Sequence, residues 1–129
     1  MAPRLTAGQR GRLEALRRAY VRDLPGKVRA IEEAAGALRP ADRGKLRSLH
    51  HLVHRLTGSS AIYGFDRLSR AAAALEELVL AAGNETSSIT LEEDAALAER
   101  LATLRAELAA VRGAGERPDR PAPRRRRLP

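Results

Sequence analysis

The sequence predicts an all-α protein, and three observations support this fold class. Its 129 residues include 25 alanines and 19 leucines, and both residue types favour helices. Aromatic residues make up only 2% of the chain, whereas β-sandwiches and barrels are rich in aromatic and β-branched side chains. Apolar residues recur at spacings of three and four in four successive segments. Amphipathic helices joined by short connections predict one antiparallel up-down four-helix bundle.

The first helix is predicted over about residues 7–38. Thr6 and Gln9 have the spacing of a capping box, in which each side chain binds the backbone N–H of the other residue. Pro25 interrupts the segment, so we expect either one kinked helix or two helices in sequence. The positions expected to face the core are Leu13, Leu16, Tyr20, Leu24, Val28, Ile31, Ala35 and Leu38.

Three further helices are predicted at about 43–62, 66–82 and 91–112. Asp42 is the expected N-cap of the second, and Thr90 opens a capping box at the fourth. Their inward positions are Leu46, Leu49, Val53, Leu56 and Ser60, then Phe65, Leu68, Ala72, Leu75 and Val79, then Leu97, Leu101, Leu104, Leu108 and Val111. The bundle is assigned to residues 1–112. Residues 113–129 are rich in Pro, Gly and Arg and are expected to form a disordered basic tail.

The net charge of +8 is concentrated at the two ends of the chain. Six arginines lie within residues 1–22 and six within 113–129, whereas the segment between them is nearly neutral. No base-stacking aromatic residues accompany these arginines, so we expect no specific nucleic-acid partner. A small basic helical protein that binds nucleic acid through charge alone is the least favoured alternative.

No apolar run approaches the roughly 20 residues that span a bilayer. The N-terminal residues lack the apolar segment of a signal peptide, and the chain has no cysteine. We therefore expect a cytoplasmic protein with no membrane contact.

All three histidines lie on the second predicted helix. With Val53 at the centre of the core face, His50 falls at the core margin, His54 on the shoulder and His51 on the outside. Gly58 lies one turn after His54 on the same side, although glycine inside a helix costs about 0.5–1 kcal/mol. Gly58 either leaves room for a partner beside the imidazole or lets another helix approach closely.

A neutral, accessible imidazole can accept a phosphoryl group and release it later. If a partner supplies the metal and the carboxylates, this chain only has to present the ring. The candidates for binding the phosphoryl oxygens are Arg47, Arg55, Thr57 and Ser59.

His50 and His54 also have the i, i+4 spacing that can bind Zn²⁺. No Asp or Glu ligand lies near them in the sequence, and Gly58 occupies the place of a third ligand. The sequence therefore predicts no metal site.

The segment that begins at His54 reads His-Arg-Leu-Thr-Gly-Ser-Ser-Ala-Ile-Tyr-Gly-Phe. It resembles the signature of histidine-containing phosphotransfer (HPt) domains, His-x-Leu-Lys-Gly-(Ser/Ala)-x-x-x-x-Gly, which lies on the second helix of a four-helix bundle. The matching residues are His54, Leu56, Gly58, Ser59 and Gly64. Flanking segments resemble the first and third helices of the family, so the resemblance covers about residues 10–110. The chain departs from the signature at Thr57, where the family usually has lysine.

The resemblance implies that His54 is the phosphoacceptor of a multistep phosphorelay. Its phosphoryl donor would be the aspartate of a response-regulator receiver domain, with a hybrid histidine kinase as a further partner. The protein would be a monomeric phosphocarrier, not an enzyme. It would need no cofactor, because Mg²⁺ belongs to the receiver.

The expected docking surface comprises His51, Leu52, Gly58, Ala61 and Gly64. The missing lysine leaves one alternative within the family, a degenerate HPt domain that binds receivers without being phosphorylated.

Overall fold

A computed structural model describes residues 4–38, 43–84 and 91–113. In these ranges the chain forms four helices and no strand, which confirms the predicted fold class. The helices are α1 (Ala7–Gly36), α2 (Arg43–Ile62), α3 (Asp66–Asn84) and α4 (Leu91–Gly113). The N-caps predicted at Asp42 and Thr90, and the tail beyond Gly113, lie outside the described residues.

α1 begins as the sequence predicts and runs through its proline. The Gln9 N–H donates to Thr6 Oγ1 at 3.1 Å, and the Thr6 N–H donates to Gln9 Oε1 at 2.8 Å, so the capping box is confirmed. Pro25 lies inside one continuous helix, and the alternative of two helices in sequence is therefore wrong. Proline removes one helical hydrogen bond, but the fully buried Leu24 and Val28 on either side hold the helix against the core.

The four helices enclose a single core. Within the described ranges, each helix packs against its neighbour in sequence, and α4 closes the ring by packing against α1. The most deeply buried large side chains come from all four helices and the turn before α3; they are Val21, Leu24, Val28, Ile31, Leu49, Leu56, Val53, Phe65, Leu68, Leu75 and Leu104. The inward positions predicted for α3, including Phe65 just before it, are all buried.

The predicted core position of Leu16 is wrong, because its side chain is 54% exposed. The buried face of α1 includes Val21 and Val28, which lie about 80–100° around the helix from Tyr20. These valines turn the centre of the buried face away from Leu16, which lies about 40° from Tyr20 in the opposite direction.

A tight turn joins α2 to α3 and determines how the two helices pack. Gly64 has φ of 84°, in the left-handed region that favours glycine. Its N–H donates to the Ala61 carbonyl at 3.0 Å, and the Phe65 N–H donates to the Ser60 carbonyl at 2.8 Å. These two bonds are those of a Schellman motif. The chain consequently reverses within three residues, and Phe65 enters the core directly after the turn.

Truncation of a buried leucine in α3 should destabilise the fold far more than truncation of an exposed one. Leu75 is fully buried, whereas Leu80, on the same helix, is 47% exposed. We expect Leu75→Ala to lower the free energy of unfolding by about 2–5 kcal/mol and Leu80→Ala by at most about 0.5 kcal/mol. Urea denaturation of the two variants measures the difference. Equal losses would contradict the core described above.

Candidate functional site

His54 lies on an outward face of α2. Its side chain is 68% exposed, whereas Val53 beside it is fully buried. His50, one turn earlier, is half-buried, and His51 is exposed. All three histidines therefore occupy the helix faces predicted from the 100° periodicity. Because most of the His54 side chain is exposed, its ring is accessible to a molecule in solution.

Glu76, on α3, supplies an acidic partner for His54 that sequence reasoning missed. His54 Nδ1 lies 2.9 Å from Glu76 Oε2 and 3.1 Å from Oε1. A carboxylate can only accept hydrogen bonds, so the Nδ1 atom carries the proton and donates it. In the neutral ring the other nitrogen, Nε2, then carries the free lone pair. The contact selects the tautomer in which Nε2 is the nucleophilic atom.

The carboxylate of Glu76 is held in place by the packing of α3 against α2. Its side chain is only 16% exposed, although its partner His54 is open to solvent. About two turns before Glu76 on the same face of α3, Ser69 Oγ donates to the Thr57 carbonyl at 2.8 Å and joins the two helices. No sequence spacing signals the pair, because the two residues are 22 positions apart and meet only once α3 folds back.

Gly58 leaves open space beside His54. Apart from its chain neighbours and the backbone of its own helical turns, a Cβ atom on Gly58 would meet no heavy atom of the described residues within 4 Å, and the residue is exposed. The alternative that this glycine permits close approach of another helix is therefore wrong for the helices described. The other alternative, clearance for a partner, agrees with this geometry.

The structure turns the hydroxyl groups of Thr57 and Ser59 toward the protein. Thr57 Oγ1 donates to the Val53 carbonyl at 3.0 Å. Ser59 Oγ lies 2.7 Å from the Tyr20 hydroxyl on α1, about 140° around α2 from His54. Burial raises the pKa of Tyr20, which keeps this phenol protonated. The structure thus does not bring Ser59 together with His54, and the Thr57 proton is already donated to the backbone.

The two candidate arginines lie at different places on α2. Arg47 lies on the same face of α2 as His54, but its Cα atom is two turns closer to the start of the helix, about 10 Å away along the helix axis. Arg55 follows His54 directly and lies beside the cleft between α1 and α2. Both side chains are exposed and make no hydrogen bond or ion pair with the described residues. Their cationic groups are therefore available to an incoming anion.

The predicted docking residues fall into three groups. Gly58, Ala61 and His51 lie on the same side of α2 as His54. Leu52 lies about 160° away from His54 and lines the cleft with α1, so it does not share that face. Gly64 is buried in the turn, where its conformational freedom is needed and its surface is not available.

Sequence reasoning also missed Ile62 as a candidate for the docking surface. Its side chain is 77% exposed and stands next to Ala61 near the end of α2. The sequence did contain a signal for Ile62 as a surface contact residue. It lies opposite Val53 on the helical wheel of α2, where a large apolar side chain is unexpected. Ile62 adds an apolar group to the otherwise polar face around His54 and Gly58.

Glu76 should control the tautomer of His54. We expect the ¹⁵N shifts of the neutral His54 ring in the wild-type chain to report a protonated Nδ1. Glu76→Ala should shift the ring toward the Nε2-protonated form, because the acceptor is lost. Glu76→Gln keeps an amide oxygen as acceptor and should retain most of the wild-type pattern, and Glu77→Ala is the control on the same helix. An unchanged His54 tautomer in Glu76→Ala would contradict the assignment.

Comparison with known proteins agrees with this geometry. The family model described as Hpt domain matches residues 15–114, which include all of α2 and α3 and therefore both His54 and Glu76. Neither a search of curated proteins nor a search of solved structures finds a significant match. The match covers most of the chain and includes α2, α3, α4 and most of α1, and the structure places the exposed His54 on the second of these helices. The chain therefore belongs to the Hpt domain family, whose members act as histidine phosphocarriers in phosphorelays.

Proposed function

We propose that this chain is a phosphorelay intermediate that accepts a phosphoryl group on Nε2 of His54 from the aspartate of a response-regulator receiver domain. The observation that carries the proposal is the contact between His54 Nδ1 and Glu76. In the neutral ring, this contact leaves the free lone pair on Nε2, the ring nitrogen that does not contact Glu76. Membership of the Hpt domain family supports the reaction class.

The transfer needs no proton to leave or enter the site. The Nε2 lone pair attacks the phosphorus atom, and the bond from phosphorus to the aspartate oxygen breaks, which releases the carboxylate. The phosphorylated ring gains positive charge and keeps its Nδ1 proton. Glu76 faces that proton, so its negative charge stabilises the phosphorylated ring.

In this proposal, the positive charge around the phosphoryl group comes from arginines of this chain and from the Mg²⁺ of the receiver. Thr57 replaces the lysine of the family signature and carries no charge. Arg47 and Arg55 are the cationic side chains on α2 closest in sequence to His54, and they would bind the phosphoryl oxygens. The receiver would bring the Mg²⁺, so the chain would need no cofactor of its own.

The receiver would dock on the face of α2 that surrounds His54. Gly58 leaves space for it, and Ile62 with Ala61 would form an apolar contact beside a polar rim. None of the helices described has an apolar stretch long enough to cross a membrane. A monomeric state, a cytoplasmic location and a hybrid histidine kinase as second partner remain part of this proposal.

The first test is phosphoryl transfer from a panel of radiolabelled, phosphorylated receivers. We expect the wild-type chain to gain an acid-labile, base-stable label, because this stability is typical of phosphohistidine. His54→Gln should gain none, and His51→Gln should still be labelled, whatever its rate. No label on a folded wild-type chain would favour the degenerate receiver-binding domain, and a label that persists in His54→Gln would move the acceptor elsewhere.

The open space at Gly58 gives a second test. Gly58→Leu should fold at least as stably as the wild type, since leucine exceeds glycine in helix propensity by about 0.8–1 kcal/mol. Its side chain would stand where the receiver approaches, so transfer should slow by at least about tenfold. Gly11→Leu is the matched control, because Gly11 is also helical with nothing within 4 Å of an added Cβ. Equal transfer rates in the two variants would remove the clearance argument.

A further inference from the structure

Three potential metal ligands lie close together at the boundary between α2 and α3. His50, His54 and Glu76 each offer one donor atom, and these atoms all lie within 4.8 Å of one another. The centroids of the two imidazole rings are 5.7 Å apart, with an angle of 30° between their planes. The tertiary structure therefore supplies the carboxylate whose apparent absence led the sequence to predict no metal site.

The donor set and its spacing suit zinc. Two imidazoles and one carboxylate, with a fourth position open to water, are the ligands of many zinc sites. Tetrahedral bonds of about 2.0–2.1 Å place ligand atoms about 3.3 Å apart. The pair formed by His54 Nδ1 and Glu76 is already at 2.9 Å, and His50 has to move by at most about 1.5 Å to complete this geometry. A half-buried ring on the same helix can make that movement by rotating its side chain.

We propose that His50, His54 and Glu76 form a zinc-binding site and that zinc bound there prevents phosphorylation of His54. The second half of this proposal rests on the proposed function, whereas the first does not. Mg²⁺ should not occupy the site, because it prefers oxygen ligands and octahedral geometry. The different ligand preferences of the two ions therefore separate their sites: Mg²⁺ would bind the receiver, and Zn²⁺ would bind the histidines of this chain.

Zinc blocks the acceptor whichever ring nitrogen it binds. If it binds Nε2, it occupies the lone pair that would attack phosphorus. If it binds Nδ1, it displaces the proton shared with Glu76, and in the neutral ring the proton then resides on Nε2, where it removes the same lone pair. In both cases His54 loses its nucleophile without a change in the fold.

Zinc binding is tested with the full chain and zinc chloride alone. Calorimetry should give one ion per chain, and the imidazole ¹⁵N resonances of His50 and His54 should shift together during the titration. His50→Gln should weaken binding by about tenfold or more, because one of three ligands is lost. His51→Gln is the matched control, since His51 lies next to His50 with ring centroids 6.1 Å apart but outside the cluster. Its zinc affinity should not change.

Two results of the titration would overturn the site. Either His54 resonances stay in place at millimolar zinc, or His51→Gln loses as much affinity as His50→Gln. A parallel titration with magnesium chloride should leave the histidine resonances unshifted. Histidine shifts of similar size with magnesium would also contradict a zinc-selective site.

Blocking of the acceptor is tested with phosphoramidate, a small phosphoryl donor that needs no receiver and hence no Mg²⁺. At saturating zinc the wild-type chain should be labelled at least about tenfold more slowly than without zinc. His50→Gln, compared with its own zinc-free rate, should keep most of its labelling at the same zinc concentration. Zinc that binds both rings while labelling continues unchanged would overturn the blocking step. A wild-type chain that is never labelled would instead refute the proposed function, and the titration would still decide the metal site.

Discussion

The packing of α3 against α2 is the constraint on which the site depends. The Schellman turn at Gly64 reverses the chain within three residues, and Phe65 and Leu68 then enter the core that also contains Leu56. This packing sets the register of the two helices, so that Glu76 meets His54 across their boundary. A turn of a different length would leave the core hydrophobic but would move the carboxylate away from the ring. The chemistry of the histidine is therefore a consequence of how the apolar faces fit together.

A single helix, α2, serves both the core and the site. Leu49, Val53 and Leu56 anchor one face, and His54 and Gly58 occupy the other, in the positions that a 100° rotation per residue requires. The buried side chains restrict the rotation of the helix about its axis. Such anchoring limits motion of the His54 backbone while the ring itself stays exposed. Rigid support with an open nucleophile is what group transfer between two proteins requires.

Under the proposed function and the proposed zinc site, the interaction between His54 and Glu76 would let one small domain support two competing chemistries. The contact orients the ring so that Nε2 is free for a phosphoryl group. The same carboxylate, together with His50 and His54, would supply the three protein ligands of the proposed zinc site. A phosphoryl group and a metal ion both require the lone pair of His54, so only one of them can occupy it. This competition follows from the geometry and requires only a rotation of the His50 side chain, with no change in the fold.

The sequence by itself determined the helical class, the start of α1 and the faces of α2, because these depend on local propensity, capping and helical periodicity. The Thr6–Gln9 capping box and the greater burial of His50 than of His51 and His54 are examples. Leu16 departed from its predicted burial, since the direction of a buried face depends on which neighbouring helices cover it. Only the tertiary structure decided that Pro25 lies within a continuous helix, that Ser59 faces Tyr20, and that Glu76 meets His54. These contacts join residues on different helices or depend on packing, and no pattern along a single helix encodes them.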